Sequence, residues 1–227
     1  ARSAPCGAAR RSLVSDYFPE ISGAGDRLVF PLAFSIALPN PLTIAEFGMF
    51  ATASAAGVML SRILAFGFIS ALYRTATIRP NPIGTFTAGF LLLGVLSLPL
   101  LAAASFGVYL IFFADTVPLS VFAAIVFAEA LLWRPVEVAL IVNNGLGKFG
   151  RAALLAILAT ALRALGAVLF MFWAQHSVWI WSWFYIGANA ASLLIAFGFF
   201  YPRQRLRLRI ELYLRRLADS IYVAGAE

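Results

Sequence analysis

From Phe47 to Tyr201 the chain is a series of long apolar runs joined by short polar connections, and the runs are too long and too evenly apolar for any environment but hydrocarbon. A bilayer core about 30 Å thick takes about 20 apolar residues to cross as a helix. The runs Phe47 to Tyr73, Phe86 to Phe113, Leu119 to Val142, Ala152 to Trp173 and Val178 to Tyr201 all meet that length. An earlier run, LVFPLAFSIAL (Leu28 to Leu38), is too short alone and crosses only if its helix begins near Ile21 and carries Asp26 and Arg27 inward. A membrane barrel is excluded, because its strands alternate over about ten residues and these runs are apolar on every side. Composition agrees: charged residues make up 12% of the chain, against about 25% in a soluble domain. The expected fold is all-α, a polytopic transmembrane bundle of about six helices with no room for a soluble domain.

Basic residues set the topology. Arg2, Arg10 and Arg11 precede the first run, Arg74 and Arg79 follow the second, Lys148 and Arg151 follow the fourth, and six arginines lie between Arg203 and Arg216. The connections PNPLTIAE, ADTVP and AQHS hold none. This alternation is the positive-inside pattern for six crossings with both ends cytoplasmic, and it stays in phase only if the short first run counts. The net charge of +7 is accounted for by topology, so no nucleic-acid partner is needed. The expected layout is a cytoplasmic arm (1–20), a six-helix lobe (21–201), a basic interfacial linker (202–218) and the start of a seventh helix (219–227).

The arm lacks the apolar core of a signal peptide. The chain starts without methionine and stops as SIYVAGAE opens a new apolar stretch, so a fragment of a longer protein is expected. In the linker, Arg205 to Leu214 alternates like a strand, while Ile210, Leu214, Leu217 and Ile221 share a helical stripe. A basic helix on anionic membrane lipids and a plain connector both remain open. Trp173, Trp179, Trp181, Trp183 and Tyr185 bracket AQHS, where an outer aromatic belt would sit, and His176 reads as a solvated loop residue. The lone Cys6 excludes a disulfide framework.

Charge inside the runs is the informative exception, since an ionisable residue at mid-helix costs about 2.5–3.5 kcal/mol on insertion scales. Arg62 and Arg163 lie near the middle of the second and fifth runs, with no acidic residue in the same run. The fourth run holds Glu129, Arg134 and Glu137, and the first Asp26 and Arg27. Arg134 and Glu137, three residues apart, can neutralise each other; Arg62 and Arg163 need another helix, water or an anionic ligand. Guanidinium groups form forked hydrogen bonds with phosphate. Arg27, Arg62, Arg134 and Arg163 are therefore candidates for holding a phosphate-bearing substrate in a wet cavity, with Asp26, Glu129 and Glu137 as candidates for coupling to H+ or Na+. Pro135 is expected to kink the fourth helix, and Ala152, Ala156, Thr160 and Ala164 form a small-residue stripe suited to close helix packing. There is no Walker loop, GxSxG or HExxH, so no enzymatic activity and no cofactor are expected.

The stretch LTIAEFGMFA followed by AFGFISALYR (Ala65 to Arg74) resembles the "xxEFGxYA" and "GLxxALxR" segments of bacterial oligosaccharide and polysaccharide flippases. NNGLGKFGRAALLAILATALRALGAVLF is similar to the junction of the fourth and fifth spans in that family, which belongs to the multidrug, oligosaccharidyl-lipid and polysaccharide exporter superfamily. The likeness extends over residues 27–201, and the opening arm departs from it in lacking an apolar first-helix start. It implies the N-terminal lobe of a two-lobed, MATE-like transporter whose C-terminal lobe is a partner. It also implies an undecaprenyl-diphosphate-linked glycan as substrate, a place in the bacterial inner membrane, and Arg27 and Arg62 as cavity residues. The alternatives are a multidrug and toxin cation extruder of the same superfamily and a non-transporting membrane subunit.

Overall fold

The computed structural model describes residues 41–64, 72, 77, 83–173 and 177–201. The arm, the first run with Asp26 and Arg27, Arg74, Arg79, His176, the basic linker and residues 219–227 lie outside the described residues. Among the described residues every regular element is helical and no strand occurs. In chain order these are α1 (Ile44–Leu64), α2 (Ile83–Leu96), α3 (Leu98–Phe112), α4 (Leu119–Phe127), a π-helical segment (Ala128–Trp133), α5 (Arg134–Gly145), α6 (Phe149–Met171), α7 (Val178–Ile195) and a second π segment (Ala196–Phe200).

The start of α1 is encoded by TIAE, a capping box in which two side chains satisfy the open backbone donors of a first turn. Glu46 N–H donates to Thr43 Oγ1 (3.2 Å), while Thr43 N–H and Oγ1–H both donate to Glu46 Oε2 (3.0 and 2.9 Å). The other carboxylate oxygen, Glu46 Oε1, accepts from Val178 N–H at 3.4 Å and ties the first turns of α1 and α7 together. Glu46→Ala is expected to cost about 1 kcal/mol, read as a lower unfolding midpoint in detergent, with Glu46→Gln retaining most of the stability because an amide oxygen still accepts.

The third run, expected as one crossing, is broken. α2 and α3 meet at Ser97 with a bend of 52° between Thr87–Leu96 and Leu98–Phe112. Pro99, in the first turn of α3, has no N–H to continue the ladder and its ring crowds the carbonyl four residues back. Ser97 Oγ instead donates to Gly94 O at 2.9 Å.

Residues 119–145 are helical throughout, about 40 Å in length, but the wider π turn at Ala128–Trp133 interrupts them just before Pro135. The sequence predicts a kink at Pro135; what the structure shows is a π turn ahead of it, where the missing N–H of the proline removes the normal bond to the residue four back. α6 and α7 form the most extensive pair. They approach closely at Gly166, where a Cβ would lie 3.4 Å from Ala188 Cβ and 3.6 Å from Phe184 O. Of the small-residue stripe, Ala152 and Ala164 are buried and Ala156 and Thr160 half-buried.

Among the described residues three helices are long and apolar enough to cross a membrane (Ile44–Arg62, Phe149–Met171 and Val178–Phe200), and the bent α2–α3 pair passes the same test of length and composition only if its two parts are taken as one span. Their outward faces carry Ile111, Phe112, Leu165, Phe172, Leu194 and Phe199 more than half exposed, a surface suited to lipid rather than water. The core divides by end. Leu42, Val117 and Val178 share one buried cluster with Phe50, Phe122, Trp181 and Tyr185, so the starts of α1, α4 and α7 gather at one end of the bundle. Val136, Ala139, Leu155, Ala159, Phe200 and Tyr201 form a second cluster, on the side of the connection holding Lys148 and Arg151.

Candidate functional site

A polar cluster joins α1, the first π segment, α6 and α7 inside the bundle. Its centre is Glu129, only 4% exposed although it carries a carboxylate. Glu129 Oε1 accepts from Ser54 Oγ at 2.9 Å and from the Tyr185 hydroxyl. Glu129 Oε2 lies 3.5 Å from Arg163 Nη2. Arg163 in turn donates from Nε and Nη2 to Asn189 Oδ1 (3.0 and 2.6 Å). The Asn189 amide is oriented by its own donation to Tyr185 O at 2.8 Å. The guanidinium carbon sits 3.9 Å above the Trp133 ring and 5.2 Å from the Tyr185 ring, within cation–π range of both.

Each position follows from local sequence. Serine at 54 and glycine at 57 fall on one face of α1, one turn apart, and the missing side chain of Gly57 lets the π segment close in. A Cβ there would stand 3.2 Å from Glu129 Cβ and 3.3 Å from Val126 Cα. Phe50, one turn before Ser54, packs edge-on against Trp181 (5.5 Å, 80°) and Tyr185 (5.1 Å, 82°) and fixes the tyrosine ring. Tyr185 and Asn189 are four apart on α7, hence on the same face.

A second ion pair lies farther along the same helical passage. Arg134 Nη1 donates to Glu137 Oε2 at 2.7 Å, with side chains 11% and 23% exposed, the mutual neutralisation that their spacing allowed. Arg134 Nη2 is buried and makes no hydrogen bond among the described residues. Tyr201 closes this region by donating its hydroxyl to Pro135 O at 2.6 Å.

The structure thus brings Arg163 together with Glu129, and Arg134 with Glu137, and leaves Arg62 apart from both pairs. Arg62 is exposed and makes no ion pair among the described residues. The capping box starts the helix at Ile44, which puts Arg62 about 27 Å along it; the rest of the expected second run, beyond Leu64, lies outside the described residues but for Leu72. Asp26 and Arg27 lie outside the described residues.

The expected aromatic belt is also corrected. Trp173, Trp179 and Trp183 are exposed, but Trp181 and Tyr185 are buried at 0% and 3%, because positions four apart turn inward together on α7. Ser54, Trp133, Tyr185 and Asn189 were not among the expected site residues. Asn189, an amide within the apolar run IGANAASLLIA, is the signal that would have found the cluster, since a side chain with four hydrogen-bonding sites in hydrocarbon needs partners.

Two cavities of about 370 and 380 Å³ have apolar linings. One lies between α3 and α4, beside Leu101, Phe106 and Phe122; the other between α6 and α7, beside Leu162, Gly166 and Trp183. Neither is lined by an ionisable residue. Compared with known proteins, the chain matches no family model, no curated protein and no solved structure.

Proposed function

We propose that this chain is one lobe of a membrane transporter that moves an undecaprenyl-diphosphate-linked glycan across the bacterial inner membrane by alternating access, with both ends of the lobe cytoplasmic. The observation that carries the reading is the placement of three arginines at successive depths in an otherwise apolar bundle. Counted along the helices from the end where α1, α4 and α7 start, Arg62 lies about 27 Å away, Arg134 about 20 Å, and Arg163 about 12 Å. Arg62 is exposed and open to a diphosphate head group, and the other two are each held beside a carboxylate. A guanidinium recognises phosphate oxygens in pairs, and charges retained in hydrocarbon usually mark a transported ion or substrate. The glycan and the undecaprenyl tail enter the reading through the sequence resemblance.

The test is binding of a lipid-linked diphosphate glycan to the full-length protein in nanodiscs. Arg62→Ala is expected to weaken it by about tenfold or more, the loss of a charge-assisted hydrogen-bonded contact. Unchanged binding and export in that variant would remove Arg62 from the site. Binding of ethidium in place of the glycan would identify a cation extruder, and binding of neither a non-transporting subunit.

A further inference from the structure

We infer that Glu129 is a resident competitor for the substrate anion: when a phosphate group takes Arg163, Glu129 takes up a proton, so that anion and proton enter the lobe together. This rests on the transporter reading above and assigns the role of one pair within it.

The Glu129–Arg163 contact is built to be exchanged. At 3.5 Å it is longer than the hydrogen bonds either partner makes elsewhere, and the hydrogen bonds from Arg163 Nε and Nη2 go to Asn189, not to the carboxylate. Exposure is unequal: the Arg163 side chain is 19% accessible and Glu129 only 4%, so an incoming anion reaches the guanidinium and not the carboxylate. Asn189 and the Trp133 face hold the guanidinium in place whether or not Glu129 is its counter-ion, which leaves a pre-organised cation for a forked ligand.

Losing Arg163 changes the chemistry of Glu129. Among the described residues, the charged and titratable groups facing it are Arg163 from α6 and Tyr185 from α7. α1 contributes Ser54, which does not ionise, and on α5 Arg134 and Glu137 are bound to each other. With Arg163 drawn to a phosphate, no cation among these faces the buried carboxylate, and a charge left in the interior without a partner is costly. A proton from solvent restores neutrality. Ser54 and Tyr185 hydroxyls both donate and accept, so either form of Glu129 keeps its two contacts and the exchange is reversible.

The experiment uses the full-length protein in nanodiscs with a prenyl diphospho-sugar, a diester that does not titrate near neutral pH, and inorganic sulfate as a free anion of similar character. Binding is followed by calorimetry in buffers of different ionisation enthalpy, which reports protons taken up per ligand. Native protein is expected to take up about one proton per diester and to bind more tightly as pH falls. Glu129→Gln, whose amide oxygen still accepts from Ser54 and Tyr185, is expected to bind about tenfold more tightly, a coupling of ordinary size, and to lose both proton uptake and pH dependence. Sulfate behaving the same way would assign the site to phosphate-like anions in general; response to the diester alone would assign it to the lipid head group. The inference is overturned if Glu129→Gln changes neither affinity nor proton uptake while native protein binds the diester and Arg62→Ala does not. In that outcome the transporter reading stands. If native protein binds neither probe, both fail; the native pH dependence decides even where a variant fails to fold.

Discussion

Arg163→Ala is expected to destabilise the bundle by about 3–5 kcal/mol, the range for removing one partner of a buried ion pair. The cost comes from what remains. Glu129, 4% exposed, loses the cation beside it, while Asn189 loses both of the donors that reach its Oδ1. The Trp133 face loses the guanidinium stacked on it. Replacing both members, as Glu129→Gln with Arg163→Met, is expected to recover most of the loss, since an apolar group of similar volume no longer leaves a charge without its partner. Unfolding midpoints of the two single variants and the double variant form a cycle whose coupling energy isolates the pair. Additive losses would mean that the two side chains are merely neighbours.

Gly57→Leu is the second substitution of large expected effect, and here the cause is volume. The first carbon of any side chain at 57 already stands 3.2 Å from Glu129 Cβ and 3.3 Å from the Val126 backbone, closer than ordinary packing. Gly57→Ala therefore demands a small shift, while leucine forces α1 away from the π segment at a cost of about 3 kcal/mol, the upper part of the range for overpacking. Separation also pulls Ser54 from Glu129, so Gly57→Leu and Ser54→Ala are expected to be strongly non-additive when unfolding is measured in detergent. Full additivity would place the strain elsewhere.

Much of the fold was legible in the sequence because hydrocarbon imposes a length: the runs expected from Phe47, Phe86, Leu119, Ala152 and Val178 lie in helices or helical passages that begin at Ile44, Ile83, Leu119, Phe149 and Val178. The Arg134–Glu137 pair followed from spacing alone. What sequence periodicity did not reveal was the partner of Arg163, since Glu129 and Asn189 are brought to it by helix packing and are 34 and 26 residues distant in sequence. The start of α1 was also out of reach of periodicity, because an apolar run does not mark where a helix begins, whereas the hydrogen bonds of Thr43 and Glu46 do. The glutamate of the EFG segment, which the resemblance treats as a motif residue, acts in this structure as a helix cap and as an anchor for α7.

The wide turn at Ala128–Trp133 amounts to one surplus residue threaded into an otherwise regular helix. A homologue lacking it would have the upstream half of that helix rotated by roughly 100°, carrying the position of Glu129 away from Arg163 even if every letter matched. Alignments of distant kin should open a single gap between 128 and 133, and chains on the two sides of that gap belong in separate groups when charge pairing is compared.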